Sequence, residues 1–158
     1  MGRSLIFASI LVLSPAIVLT LTGDNPSAVL VACPNITIYP GNAVMPFGSV
    51  LATDDPLTVG PEFTSEIIGN AQGLTVLDSQ HELSVVVYLD FGFTRGEFNG
   101  SSFGVFTRNT ITVACRELAV VGGRGKFRMA TGFAELKTYS NSGDGNAIVE
   151  YNVTLFHH

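Results

Sequence analysis

The sequence is short of charge. Lysine, arginine, aspartate and glutamate make up 13% of its 158 residues, about half of the usual share of about 25%. The Lys and Arg number 8 against 13 Asp and Glu, for a formal net charge of −5. With no basic run there is no footprint for a phosphate backbone, and nucleic acid is excluded as a partner. Tryptophan is absent, and the only histidines are His81, His157 and His158. His81 sits in the polar turn "DSQHELS" and reads as a solvated imidazole. The other two lie at the terminus, where disorder is the default. A Ser-His-Asp or Cys-His arrangement therefore lacks its base. No Cys/His/Asp/Glu group has ligand spacing, so neither a metal nor another cofactor is expected. The two cysteines, Cys33 and Cys115, can form one disulfide in an oxidising compartment or stay as two buried thiols. No segment carries a helical period, and no repeat, linker or low-complexity tract interrupts the chain.

Glycine, by contrast, is plentiful at 17 residues. Four glycines fall in "VVGGRGKFRMATGFAEL", residues 120–136. A phosphate-binding loop needs a glycine five residues before its Gly-Lys pair and a Ser or Thr after it. Here the pair is Gly125-Lys126, with Val120 before it and Phe127 after it, so the pattern fails at both ends. Phe127, Met129 and Phe133 share one parity, against Lys126 and Arg128 on the other. That alternation belongs to a half-buried strand, and the stretch reads as a glycine turn between two strands.

What remains is apolar and β-forming. Hydrophobic residues make up 46%. From residue 29 onward, short runs such as "AVLVA", "SVLAT", "LSVVVYLDFGFT", "SSFGVFT", "TITVACREL" and "AIVEYNVTLFHH" alternate with turn-forming clusters. Seven or eight regularly spaced strands in one domain predict an all-β fold, an antiparallel sandwich or barrel. Asp54-Asp55-Pro56 reads as a turn initiator. Arg116 and Asp90 lie in or at the edge of strongly apolar strands, where an unpaired charge is costly. Either both face solvent or both serve a purpose.

The opening "MGRSLIFASILVLSPAIVLTLTG" places Arg3 before an apolar run that Ser14-Pro15-Ala16 ends. This is the pattern of a signal peptide over residues 1–16, cleaved after Ala16, ahead of a domain over 17–158. A membrane span needs about 18 uninterrupted apolar residues, which Ser14-Pro15 denies, so no membrane anchor is expected. Secretion agrees with three Asn-x-Ser/Thr glycosylation sites at Asn35, Asn99 and Asn152.

Four spaced motifs then point to a family. "FGSVLATDDPLTVGPEFTSEIIGNAQG", "EFNGSSFGVFTRN", "RELAVVGGRGKFRMATGFAEL" and "VEYNVTLFHH" stand in the order in which the plant dirigent proteins carry them. The resemblance covers roughly residues 21–158. It implies an eight-stranded antiparallel β-barrel resembling lipocalins and allene oxide cyclase, with a cavity for a phenolic ligand. It also implies homo-oligomers, trimers or dimers, secreted to the apoplast of the cell wall. Dirigent proteins oxidise nothing themselves. A laccase or peroxidase supplies phenoxy radicals of a monolignol such as coniferyl alcohol, and the barrel orients two of them. On that reading the chain is a stereo-directing auxiliary and not an enzyme, with no catalytic residue of its own. The alternatives are a phenolic-binding or defence barrel without steering, and a cyclase or dehydratase acting on a phenolic such as an isoflavanol.

Carried over position by position, the family pattern is incomplete. Lignan-forming members have an aspartate in the first barrel strand, where this chain has Leu19. A second pocket aspartate falls at Asn109, and the pocket arginine seven residues on matches Arg116. The family's "VGRAQG" and "FRMARG" lose an arginine each, at Asn70 and Thr131. Arg116 is therefore expected to donate hydrogen bonds to a phenol or developing oxyanion, with Asn109 beside it. Asp90 and Tyr88 join the expected substrate-binding set from their place in the longest strand. Phe91 and Phe93 serve either packing or ligand stacking. Two missing carboxylates should spare orientation and cripple proton transfer, since a positioned acid or base contributes roughly 10²–10⁴-fold.

Overall fold

The computed structural model describes residues 4–15, 27–62, 64–141 and 146–157, with side chains for 27–62, 64–140 and 147–157. Nine strands occur in order: β1 (Ser4–Pro15), β2 (Ala28–Ala32), β3 (Val50–Thr58), β4 (Ile67–Leu77), β5 (Ser84–Phe93), β6 (Ser102–Thr110), β7 (Arg116–Arg124), β8 (Thr131–Asn141) and β9 (Asn146–His157). The only helical turns among the described residues are two 3₁₀ turns, Gly96–Phe98 and Gly125–Phe127. The strands join in the order β1-β9-β8-β7-β6-β5-β4-β3-β2. A short β1–β3 pairing, Leu11↔Thr58 and Val12↔Leu57, brings the ends of the eight-strand run together. β2 continues along the same edge of β3, from Ala28↔Thr53 to Ala32↔Val50. The result is the expected all-β, antiparallel, barrel-like fold.

Alternation decides what lies inside. In β5, Val85, Val87, Leu89, Phe91 and Phe93 are buried, while Tyr88 between them is exposed. The same period runs through β6, β7, β8 and β9, so that Phe103, Leu118, Leu136 and Val153 join one core with Phe91. Each such side chain contributes about 1.5–3 kcal/mol on burial. A smaller core of Met45, Leu51, Leu77 and Val85 fills in beside β2. At Gly73 an added Cβ would run into the carbonyl of Tyr88, so β4 and β5 approach more closely there than any side chain permits.

β1 occupies most of the segment read as a leader. It pairs with β9 throughout, from Ser4↔His157 to Pro15↔Asn146. The expected cleavage point after Ala16, the Leu19 position and His158 lie outside the described residues.

Three local readings change in detail. The stretch 120–136 is a turn between strands as expected, but β8 starts only at Thr131. Met129 is no strand residue; it is exposed and takes φ 60 in the turn. His157 is not frayed, because the last rung of β9 holds it with its ring edge-on to Phe127 at 5.9 Å. Asp54-Asp55-Pro56 is not a turn, for all three residues lie within β3.

Candidate functional site

Placing Asp54 and Asp55 in a strand separates them. Neighbouring side chains point to opposite faces, so one aspartate must enter the barrel. Asp54 stays outside and accepts hydrogen bonds from Asn70 Nδ2 at 2.8 Å and Gln72 Nε2 at 2.9 Å. Asp55 shares the parity of Leu57 and is 1% exposed. A carboxyl group thus sits in the interior, opposite Ala71 of β4.

Tyr151 of β9, on the other side of β1 from β3, is buried within reach of its charge. Its ring meets Phe91 edge-on at 5.2 Å, and Phe91 stacks on Phe103 at 5.0 Å. Burial pushes the Tyr151 hydroxyl well above the usual phenol range, and the negative charge of Asp55 pushes it further, against a smaller opposing pull from Arg116. Tyr151 therefore keeps its proton well above neutral pH and can offer its hydroxyl as a hydrogen-bond donor. Arg116, Leu136 and Tyr151 occupy one register row across β7, β8 and β9.

Arg116 opens β7 next to the exposed turn 112–115, at one mouth of the barrel. Burial lowers the pKa of its guanidinium, opposed by the phenol of Tyr151. Its Nη2 donates to Thr138 Oγ1 at 2.8 Å. Its Nε is buried without a hydrogen-bond partner among the described residues, as is Oδ1 of Asn109. Buried polar atoms normally find partners, so an unpaired donor and an unpaired acceptor at one mouth suit a polar ligand. Together the cluster brings a carboxyl, a phenol and a guanidinium near one another beside the packed rings of Phe91 and Phe103, groups able to transfer a proton or to stabilise negative charge.

A family profile described as Dirigent-like protein matches residues 18–156. The chain belongs to the dirigent family. It is similar to Dirigent protein 15 of Arabidopsis thaliana, 47% identical over 146 residues that cover 88% of this chain and 75% of the relative. It is equally similar to Pterocarpan synthase 1 of Glycyrrhiza echinata, 47% identical over 141 residues that cover 87% of this chain and 72% of the relative. A solved pterocarpan synthase dirigent protein superposes with a TM-score of 0.86 at 40% identity, covering 100% of this chain and 87% of the other.

Within this dirigent barrel the expected residues part company. Asn109 near the end of β6 and Arg116 at the start of β7 both lie at the same end of the barrel on the inward parity, beyond the last β6–β7 pair at Val105↔Val120. Asp90 and Tyr88 stand on the outer face: Asp90 pairs with Arg124 at 3.4 Å, and Tyr88 is 43% exposed. Phe91 and Phe93 belong to the core. Asn70 faces outward onto Asp54. Cys33 and Cys115 are both exposed and both free, so neither a disulfide nor a pair of buried thiols forms. Asn35 and Asn99 lie in exposed connections, and Asn152 on the outer face of β9.

Sequence reasoning missed Asp55, Thr138 and Tyr151. The signal for Asp55 was present, since adjacent aspartates within an alternating strand cannot both stay outside. Pro56 hid it by suggesting a turn. Tyr151 was hidden because its alternation with Val149 and Val153 reads as plain core.

Proposed function

We propose that this dirigent chain binds a phenolic alcohol and directs its ring closure with loss of water, an isoflavanol being the type of substrate. The single observation that carries the reading is Asp55, a carboxyl inside the barrel in electrostatic contact with Tyr151. Loss of water from an alcohol needs an acid to protonate the leaving oxygen, and a buried carboxyl can supply it. In the proposed sequence Asp55, in its protonated form, protonates the leaving hydroxyl, and the C–O bond breaks to release water while the ring phenol conjugated with that carbon gives its proton to solvent, leaving a neutral quinone methide. Arg116 and Tyr151 donate hydrogen bonds to the quinone-methide oxygen, on which negative charge collects. A second phenol oxygen of the same molecule attacks the carbon, its proton returns to Asp55, and the quinone-methide oxygen takes a proton back from solvent, so that one water is the only net loss. The barrel wall limits which face is attacked, and that would set the product's handedness. The likeness to proteins named pterocarpan synthase supports this reading.

A second reading has its own support. In it the barrel orients phenoxy radicals supplied by a laccase or peroxidase, a reading supported by the similarity to Dirigent protein 15. On the outer face, Leu74, Tyr88 and Phe106 share one exposed register row across β4–β6, which supports the homo-oligomer expected of the family.

The two readings separate in one assay. Purified protein with a 2′-hydroxyisoflavanol and no oxidant is expected to yield one enantiomer of the closed ring on a chiral column. Asp55→Asn should lower the rate roughly 10²–10⁴-fold while leaving the protein folded. No product without oxidant, together with enantiomeric excess from coniferyl alcohol and laccase that survives Asp55→Asn, would favour radical steering.

A further inference from the structure

The contact between Arg116 and Thr138 links two strands that need no side chain to hold them together. β7 and β8 already pair from Arg116↔Leu136 to Val120↔Gly132. Thr138 lies just beyond that ladder, continuing the parity of Ala134 and Leu136 but exposed at the rim. Its partner on β9 is Val149, and the register then shifts between Thr138 and Ser140. Such bulges are over-represented beside active sites, where they re-aim a side chain. Here the irregularity falls directly after the residue that accepts from Arg116 Nη2 at 2.8 Å.

A guanidinium is a rigid planar fork, so fixing one nitrogen fixes the plane of all three. With Nη2 held on β8, the direction of the buried Nε is set as well, and Nε has no hydrogen-bond partner among the described residues. The flexible stem of arginine would otherwise sample many rotamers at a mouth open to solvent. The hydroxyl of Thr138 can hold the fork without neutralising it, which a carboxylate could not. The interior thus keeps a full positive charge facing Tyr151 and the ligand space.

We infer that Thr138 is a positioning residue: from the β8 bulge its hydroxyl holds Arg116 so that the free Nε–H points at the ligand oxygen. The inference rests on the proposed reading only for the reaction that it assists, since an aimed donor also matters for simple binding. Thr138 touches no reacting atom and acts through Arg116 alone. Removing it should therefore do nothing once Arg116 is gone.

The test is a double-mutant cycle on the full chain with two readouts. One is kcat and KM for closure of a 2′-hydroxyisoflavanol; the other is the Kd for coniferyl alcohol by calorimetry. Thr138→Val, close in shape but without the hydroxyl, is expected to lower kcat/KM about 10-fold or more, as loss of a hydrogen bond to a charged group does. Thr138→Ser should restore it to within about 3-fold, which a purely structural role for the methyl group would not allow. In an Arg116→Ala background, Thr138→Val should change neither readout. Additive losses in that background, or an unchanged Thr138→Val protein, would overturn the inference. If the wild-type chain closes no ring but binds coniferyl alcohol, the functional reading fails by itself, and the same cycle in Kd still decides for or against Thr138. Binding of neither compound overturns both. Should Thr138→Val fold poorly, failure of Thr138→Ser to retain activity decides against.

Discussion

The two ends of the barrel are built on opposite principles. At one end Phe93, Phe98, Phe103 and Phe127 interlock with centroids 4.9–6.1 Å apart, and the ring of His157 closes the group. At the other end Asp55, Asn109, Arg116, Thr138 and Tyr151 gather polar atoms, two of which lack partners among the described residues. β6 and β7 run from one end to the other, from Ser102 and Arg124 beside Phe127 to Asn109 and Arg116 at the mouth. The aromatic end gains from every contact it makes, through dispersion and burial. The polar end forgoes that gain and leaves Arg116 Nε and Asn109 Oδ1 unpaired among the described residues at a cost, though the aromatic end is not free of such atoms, since both ring nitrogens of His157 also lack partners there. A fold that tolerates such a cost at one place gains its stability elsewhere.

The largest effect should come from breaking the aromatic end. Phe127 is 1% exposed and meets Phe93, Phe98, Phe103 and His157. Phe127→Ala is expected to cost about 3–5 kcal/mol in chemical denaturation, the usual range for emptying so large a site. Ligand affinity at the far mouth should stay close to wild type in conditions where the variant remains folded. A loss under about 1 kcal/mol would mean that the ring cluster relaxes into the space and is not the stabilising end.

How much of this contrast could be read from the sequence follows from what each end is made of. The aromatic end and the barrel walls obey period two, and "SVVVYLDFGF" displays its inward Val85, Val87, Leu89, Phe91 and Phe93 directly. The polar end depends on which strands become neighbours, and that is set by long-range closure. Arg116 was legible because a charge inside an apolar strand is conspicuous, and Asn109 through the family pattern. Asp55 looked like part of a turn, while Tyr151 and Thr138 looked like ordinary strand residues. Asp90 and Arg116 raised the same expectation from sequence. Both interrupt apolar runs, but parity carries Asp90 to the outer wall.

A smaller effect should appear at alkaline pH and act through Tyr151. Its folded pKa is raised by burial and by Asp55. The sign follows from proton binding. Above the unfolded value of about 10 the unfolded chain releases the phenol proton, while the folded chain retains it. Stabilisation by this group is thus fully present below about pH 10 and is lost as pH climbs towards the folded pKa, by about 1.4 kcal/mol per unit. Tyr151→Phe should flatten that part of the stability profile and leave the profile below pH 9 parallel to wild type. Equal slopes in the two proteins between pH 10 and 12 would mean that the hydroxyl is solvated and the interior cluster is open.

The smallest effect is expected on the outer wall. Arg124 holds Asp90 at 3.4 Å and donates through Nε to Ser102 Oγ at 2.7 Å, but the arginine side chain is 73% exposed. A pair so accessible to water and salt contributes about 0–1 kcal/mol. Asp90→Asn should therefore shift stability by less than about 1 kcal/mol, and by less still at 1 M salt, where screening acts within about 3 Å. More telling is what should not change. With Asp90 pointing away from Asp55 and Tyr151, the chirality of any product and the affinity for coniferyl alcohol should match wild type. An altered enantiomeric ratio in Asp90→Asn would show that the outer wall takes part in binding ligand, and the contrast between a polar interior mouth and an inert exterior would no longer hold.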